Sequence, residues 1–200
     1  MTCEPHSSPG TTHPDAEQQH DLAPDMQRRA LLRCAIGLGI AAAGGLLPRL
    51  ALAKDLEVGQ LAPPLVLHTL DGHSIATRDL LGQVVIATFW ATWCDPCREE
   101  LPLLSAYAEQ HAQQGLRVLG FSLDGPEDLP KVRDVAANLS FPVGLLGSPW
   151  AGGYGRIWHI PVSFVIDRSG RLADNGWDDA KPVWTKERLE RIVDPLLRKD

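Results

Sequence analysis

Two cysteines with two residues between them stand where an apolar segment gives way to a helix-like one. Cys94 and Cys97 follow residues 84–90, which are continuously apolar or β-branched, and they open residues 96–113, which have helical periodicity. The N-terminus of a helix offers unpaired N–H groups and the positive end of the dipole, and both favour a thiolate. A thiolate is the nucleophile of disulfide exchange, and a second sulfur nearby resolves the mixed disulfide. The pair therefore predicts a redox site at a strand-to-helix junction.

The positions of the other cysteines and the net charge argue against two classes of protein, disulfide-stapled domains and nucleic-acid-binding proteins. Cys3 and Cys34 lie in the first 53 residues, so the body of the chain holds a single close pair. Small disulfide-stapled domains use several spread bridges, so this body is not of that kind. The chain has a formal net charge of −6 and no basic patch with interleaved aromatic residues, so a nucleic-acid partner is not expected.

The N-terminal region predicts an export signal. Arg28 and Arg29 precede the apolar residues 35–47, and residues 51–53 (Ala-Leu-Ala) supply small residues for a signal peptidase. The arginine pair resembles a twin-arginine signal. We therefore predict a signal peptide at residues 26–53 and a periplasmic location.

The export prediction leaves two points open. An uncleaved membrane anchor is the alternative, although the apolar run of about 13 residues is shorter than the ~20 of a spanning helix. Residues 1–25 are rich in Pro, His, Ser and Asp and predict a disordered extension. Translation from either Met1 or Met26 is compatible with the sequence.

The body, residues 54–200, predicts one α/β domain. Asp71 and Gly72 mark a tight hairpin. Alternation of strands and helices implies a parallel central pair, and a late hairpin adds antiparallel strands. We therefore predict a mixed central sheet with helices on both faces and an added N-terminal β-hairpin. The predicted strands are residues 65–70, 73–76, 84–90, 116–123, 141–146, 161–167 and 171–177; the predicted helices are 96–113, 127–138 and 185–199, with a short helix or turn at 150–158.

The segment around the cysteines resembles a family signature. Residues 89–102, FWATWCDPCREELP, are similar to the F-W-A-x-W-C-x-P-C-R-x-E-x-P signature of the TlpA/ResA-like (cytochrome c maturation-type) thioredoxin superfamily. Residues 160–167, IPVSFVID, match as well, and the resemblance covers essentially residues 58–199. It implies a thioredoxin-like fold and the activity of a protein disulfide oxidoreductase, with no cofactor and no metal.

The resemblance also implies roles for five residues. Cys94 corresponds to the exposed nucleophile and Cys97 to the buried resolving thiol. Pro161 corresponds to the cis-proline that faces the disulfide, and Ile160 before it offers backbone groups to an incoming peptide. Glu100 corresponds to a buried acid near the resolving cysteine, where a carboxyl that keeps its proton near neutrality can relay protons; the alternative is a first-turn Glu that only suits the helix dipole.

Some nearby residues depart from the pattern or have an open role. Thr88 stands where ordinary thioredoxins carry a buried Asp, which strengthens the case for Glu100. Asp95, between the cysteines, opposes a neighbouring thiolate, and the net sign of its effect against the helix dipole is open. Trp93 packs the site or contacts the partner. His159 is a surface-loop residue or lies near the sulfurs. Ser163 departs from the Thr that is usual after the cis-proline.

The resemblance implies a reductant that works in an oxidising compartment. Its clients would be disulfide-containing proteins such as apocytochrome c or copper-site proteins, and a membrane thiol electron donor would restore the dithiol. Three alternatives use the same cysteines: an oxidant of exported proteins, a Cu(I)-carrying module with His159 as a further ligand, and a peroxidase. A peroxidase would place its cysteine after a Pro-x-x-x-Thr loop, which Cys94 lacks.

Overall fold

The computed structural model describes residues 56–198. The predicted extension and signal peptide lie outside this range. None of the helices within it has the length and apolarity needed to cross a bilayer. The strands are β1 (Val66–His68), β2 (Ser74–Ala76), β3 (Val84–Trp90), β4 (Leu116–Ser122), β5 (Val143–Leu145), β6 (Val162–Ile166) and β7 (Leu172–Asn175); the α-helices are α1 (Asp95–His111), α2 (Leu129–Ala136), α3 (Lys186–Ile192) and α4 (Asp194–Leu197).

Five strands form the central sheet in the order β5-β4-β3-β6-β7, and β1 and β2 form a separate antiparallel hairpin. β3 is buried along its whole length, as expected for a continuous run of apolar and β-branched residues. It pairs parallel with β4 and antiparallel with β6. The mixed sheet and the N-terminal hairpin of the predicted fold are confirmed.

Successive residues of β3 point to opposite faces of the sheet and into two apolar clusters. Ile86 belongs to the cluster that includes buried residues of all four α-helices. Ala87 belongs to the other cluster, which is closed by residues of the β1 hairpin and of the turn around Tyr154. The second face is therefore covered by the hairpin and by short 3-10 turns, where the prediction placed further helices. Full burial of each large side chain contributes roughly 1.5–3 kcal/mol.

Helix α1 begins and ends as its sequence dictates. Cys94 is the N-cap, and Pro96 lies in the first turn, where its missing N–H costs nothing. Pro102 lies inside the helix, which continues to His111. A 3-10 turn follows, and Gly115 ends it with a φ of 83°, the left-handed conformation that glycine adopts most readily.

One predicted element differs from the structure. The terminal helix is interrupted between α3 and α4, because Pro195 has no N–H to donate and its ring clashes with the preceding turn. The short helix or turn predicted at residues 150–158 is confirmed as a 3-10 turn at Gly152–Tyr154, and an antiparallel bridge joins Trp150 and Arg156 on either side of it.

Segments outside the sheet lie along both of its outer strands. The Leu70 N–H donates to the Val143 carbonyl in β5 (2.9 Å). A Cβ on Gly144 would meet the His68 carbonyl oxygen at 1.9 Å, so no side chain fits there. On the opposite side, the Leu172 N–H of β7 donates to the Gln60 carbonyl (2.9 Å).

Candidate active site

Cys94 and Cys97 form a disulfide across the N-terminus of α1, with an S–S distance of 2.06 Å. The Cys97 N–H donates to the Cys94 Sγ (3.3 Å), as a helix N-terminus does to its capping group. Cys94 is 6% exposed and Cys97 is fully buried. The predicted exposed nucleophile is thus more enclosed than expected, because the surrounding chain covers most of it. An incoming sulfur can still reach Cys94 in preference to Cys97.

The Asp95 carboxylate, between the two cysteines in sequence, is exposed to solvent. Its side chain is 87% exposed and lies 3.8 Å from the Arg98 guanidinium. Water and salt screen an exposed charge strongly, and Arg98 offsets it further. The helix N-terminus is therefore the stronger influence on a Cys94 thiolate.

Glu100 is buried in α1, one turn after Cys97. Its side chain is 2% exposed, and Oε2 accepts the Trp184 N–H at 2.7 Å. Oε1 is buried without a hydrogen-bond partner among the described residues. Burial raises the pKa of Glu100 from 4.5 to about 7, although the Trp184 N–H and the Arg188 charge oppose the rise. The carboxyl group can therefore take up and release a proton near neutral pH.

Trp184 connects Glu100 to the strand that follows the cis-proline. Besides its backbone bond to Glu100, its indole N–H donates to the Ser163 Oγ at 3.0 Å. Ser163 is a departure from the family pattern that the sequence reveals, whereas Trp184 is not among the residues predicted from the sequence. The bond to Glu100 spans 84 residues, so no local pattern could have revealed it.

Arg188 is a buried cation behind Trp184. Its guanidinium carbon lies 4.3 Å from the centre of the Trp184 ring, which is a cation–π distance. Its Nη2 donates to Asp174 at 2.9 Å, and its Nε lies 3.4 Å from Asp179. Burial raises the pKa of Asp174, and the Arg188 charge opposes that rise. Arg188 thus fixes Trp184 and adds positive charge near Glu100.

The cis-proline loop lies at the same end of the sheet as the cysteines. The Ile160–Pro161 peptide is cis. Val162, the first residue of β6, is paired with Phe89, so Pro161 lies beside the end of β3 from which the chain leads to Cys94. Ile160 packs against the apolar cluster that contains both cysteines. The structure thus brings Pro161, Ile160 and the two cysteines to the same end of the central sheet.

Asp124 holds the loop before Cys94 and was missed by the sequence analysis. It is buried, and its carboxylate accepts the Thr92 N–H at 2.9 Å, the Thr92 hydroxyl at 2.6 Å and the Ser122 hydroxyl at 2.6 Å. The available signal was a carboxylate just after a buried strand parallel to β3, since parallel strands end at the same edge.

The remaining candidate residues differ in exposure. Trp93 is 65% exposed next to Cys94, so its ring is available to a partner. His159 packs edge-on against Trp158 at 4.0 Å, and burial lowers its pKa. Thr88 is fully buried, and its hydroxyl has no partner among the described residues. Within residues 56–198, no three His, Cys, Asp or Glu side chains are grouped as a metal site.

Comparison with known proteins shows the family. Residues 58–175 match the AhpC/TSA family. The chain is 30% identical over 144 residues to the thiol-disulfide oxidoreductase ResA of Bacillus cereus, which covers 72% of this chain and 80% of the relative. It is 28% identical to the ResA protein of Geobacillus kaustophilus, in an alignment that covers 85% of this chain and 97% of the relative.

A solved structure shows the same fold. The crystal structure of a thiol:disulfide interchange protein of the thioredoxin family from Chlorobium tepidum is 32% identical to this chain. It superposes with a TM-score of 0.59, covering 69% of this chain and 96% of that one. The predicted resemblance and enzyme class are confirmed: the chain belongs to the AhpC/TSA family of thioredoxin-fold proteins and is a ResA-like thiol–disulfide oxidoreductase.

Proposed function

We propose that this protein is a periplasmic reductant of disulfides in exported proteins. The observation that carries the proposal is the Cys94–Cys97 pair at the N-terminus of α1, with Glu100 buried one turn below and its pKa raised to about 7. The helix N-terminus supplies an activated thiolate, and the buried carboxyl group supplies a proton acceptor at working pH.

The proposed reaction has two exchange steps. The Cys94 thiolate attacks one sulfur of the client disulfide; a Cys94–client bond forms, and the other client sulfur leaves as a thiolate and takes a proton. Cys97 then gives its proton to the Glu100 carboxylate and attacks Cys94, which forms the Cys94–Cys97 bond and releases the second client thiolate to be protonated. Two electrons pass to the client, whose two thiolates take their protons from solvent; Glu100 returns its proton to solvent, and the protein is left in its disulfide form.

The remaining parts of the proposal concern location and partners. Residues 26–53 export the folded domain, residues 54–200, by the twin-arginine route. The clients are apocytochrome c or copper-site proteins, as the ResA-like signature implies. A membrane thiol donor returns two electrons to the Cys94–Cys97 disulfide after each turnover. Pro161 faces the disulfide, and Ile160 and Trp93 contact the client.

Cysteine variants test the exchange mechanism. Cys94→Ser is expected to abolish disulfide reduction, because no nucleophile remains at the accessible position. Cys97→Ser is expected to trap a mixed disulfide with the client, because the resolving sulfur is absent. Non-reducing electrophoresis of periplasmic extracts detects the adduct. If Cys97→Ser captures no protein, the proposed exchange is wrong.

The reduction potential separates a reductant from an oxidant of exported proteins. A value near the ~−270 mV of thioredoxin is expected for a reductant, whereas a value near the ~−120 mV of DsbA would mean an oxidant. Metal analysis of the reduced protein tests the Cu(I)-carrying alternative. Copper bound stoichiometrically by the two thiols would replace the redox proposal.

A further inference from the structure

The turn between β5 and β6 presents large side chains to solvent in an ordered way. Trp150 and Arg156 form its antiparallel bridge, and the Ile157 N–H donates to the Pro149 carbonyl at 2.8 Å beside them. In a pair flanked by such bonds, without bonds of its own, opposite side chains approach most closely. Trp150 and Arg156 are therefore neighbours on one side of the turn.

Burial alternates along the same turn. Ala151 and Ile157 are buried in the apolar cluster beneath it. Trp150 is 63% exposed and Trp158 is 73% exposed. Arg156, which is opposite Trp150 in the bridge and two residues before Trp158, is exposed as well. Residues two apart in an extended segment share a face, so these three side chains form one outer surface. We call Trp150, Arg156 and Trp158 the tryptophan face.

The ring of Trp158 is held in place despite its exposure. It stacks on Trp177 at 5.8 Å with 9° between the planes, and His159 packs against both rings. The Trp177 indole N–H donates to the Tyr154 carbonyl at 3.0 Å. A ring that is already fixed loses little conformational entropy when a partner covers it. The arrangement is that of a preformed binding surface.

The tryptophan face is connected to the cis-proline loop by a short stretch of chain. Trp158 precedes Pro161 by three residues, and three residues of extended chain span at most about 10 Å. Ile160, between them, packs against the cluster that contains Cys94 and Cys97. A chain whose cysteine meets Cys94 therefore passes the tryptophan face if it continues along this loop.

We propose that the tryptophan face binds an extended segment of the client polypeptide close to its reactive cysteine. This inference rests on the proposed function of the Cys94–Cys97 pair. The matching segment carries an aliphatic or aromatic side chain about three residues from the cysteine and a carboxylate about five residues away, at extended spacing. Tryptophan and arginine are the residues that most often dominate binding energy at interfaces, and the Arg156 guanidinium pairs with a carboxylate.

Two other occupants fit the face less well. Two tryptophan side chains bury at most about 500 Å², whereas each partner in a stable protein complex buries about 800 Å². The face is thus small for a dimer interface. Anionic lipid surfaces are bound by clusters of roughly 4–8 basic residues, and the tryptophan face holds a single Arg.

Two substrates separate docking from chemistry. The first is a synthetic peptide whose single cysteine is in mixed disulfide with glutathione, with Leu at three residues and Glu at five residues on both sides. The second is 2-hydroxyethyl disulfide, which is too small to span the distance to Trp158. Trp158→Ala is expected to raise KM for the peptide about tenfold, and to leave the rate with the small disulfide unchanged.

A charge exchange gives an independent readout that does not depend on removing a ring. Arg156→Glu is expected to raise KM for the Glu peptide, and replacing Glu by Lys in the peptide is expected to restore it. Leu81→Ala is the matched control, since Leu81 is 64% exposed and precedes β3, at the end of the sheet opposite the cysteines. Leu81→Ala is expected to change neither the KM for the peptide nor the rate with the small disulfide.

The results with the two substrates distinguish a failure of the docking proposal from a failure of the proposed function. If Trp158→Ala and Arg156→Glu leave peptide KM unchanged while the wild-type protein reduces the small disulfide, this inference is wrong and the proposed function stands. If the wild-type protein reduces neither substrate, the proposed function itself fails. Unchanged peptide KM together with a Trp158-dependent dimer in sedimentation, or with Trp158-dependent binding to vesicles of anionic lipid, assigns the face to that occupant instead.

Discussion

At the scale of single residues, the site combines what a motif predicts with contacts that no motif contains. The cysteine pair and its place at a helix N-terminus follow from the sequence, because spacing and local periodicity carry the signal. The roles of Glu100 and Pro161 came from family resemblance. Trp184, Arg188 and Asp124 were missed, because each acts through contacts between residues that are far apart in the chain.

Glu100→Gln tests the proton relay. Above a pH of about 7 the Glu100 carboxyl is ionised and can accept the Cys97 proton, because its pKa is raised to that value. Removing such a group typically slows a reaction by about 10²-fold or more. We expect the variant to resolve a mixed disulfide more slowly near neutral pH and to lose the inflection near pH 7 in stopped-flow measurements. Glu99→Gln, the exposed neighbour, is the control, and an unchanged profile in Glu100→Gln would remove the relay role.

The same pKa shift predicts a pH dependence of stability. The folded protein binds the Glu100 proton more tightly than the unfolded chain, so the free energy of unfolding falls as pH rises from 4.5 to about 7. The loss attributable to Glu100 is about 3 kcal/mol. In urea titrations, the free energy of unfolding of the oxidised wild-type protein should fall over this pH range by about 3 kcal/mol more than that of Glu100→Gln. If the free energies of unfolding of the two proteins change in parallel across that pH range, the raised pKa of Glu100 is contradicted.

Asp124→Ala tests the support of the loop before Cys94. The Thr92 N–H and the Ser122 hydroxyl lose a buried acceptor, and each unsatisfied group costs about 1–3 kcal/mol. We expect the free energy of unfolding to fall by at least 2 kcal/mol in urea titrations. Asp128→Ala, which breaks an ion pair with the exposed Lys131, is the control and should change stability by less than about 1 kcal/mol.

At the scale of elements, position within the fold was predicted better than boundaries. The limits of β3 agree with the prediction, because residues 84–90 are uniformly apolar or β-branched, Gln83 precedes them, and a turn begins at Thr92. The terminal helix was predicted as one piece, since its apolar spacing continues across Pro195. The 150–158 turn was ambiguous because three glycines within it obscure the alternation of buried and exposed residues.

Arg188→Met tests how α3 acts on the active site. Breaking a buried ion pair leaves Asp174 and Asp179 without their cation and typically costs about 3–5 kcal/mol. Without the Arg188 charge the pKa of Glu100 should rise further, so the inflection in the pH–rate profile should move upward. Arg191→Met, an exposed change on the same helix, is the control. An unmoved inflection would mean that Arg188 is structural alone.

At the scale of the whole molecule, the sequence predicts a leader at residues 26–53 ahead of the enzyme domain, and we propose separate tasks for the two. The fold and the enzyme class of the domain follow from a signature that occupies a small part of it, because the thioredoxin fold constrains the rest. The ResA-like signature implies only a class of client. The segment of the client that the enzyme binds does not follow from any motif, since we propose that it is recognised by surface side chains such as those of the tryptophan face.

The export route is tested in the leader itself. Replacing Arg28 and Arg29 together by Lys is expected to stop twin-arginine export and leave the precursor in the cytoplasm, because that pathway requires the arginine pair. Cell fractionation with immunoblotting measures the distribution. Arg33→Lys is the control and should be exported normally. Export of the double variant at the wild-type rate would contradict the proposed route.

The lateral margins of the central sheet have a consequence for how other chains approach. Unpaired strand margins invite foreign strands to join, which leads to aggregation. Here the hairpin lies against β5, with Leu70 bonded to Val143, and the segment at Gln60 is bonded to β7. These contacts occupy part of the outer margins of β5 and β7, so strand addition to the central sheet is hindered, whereas the strand ends beside the sulfurs stay open. We therefore expect the enzyme to reduce incompletely folded substrates without its central sheet joining their aggregates.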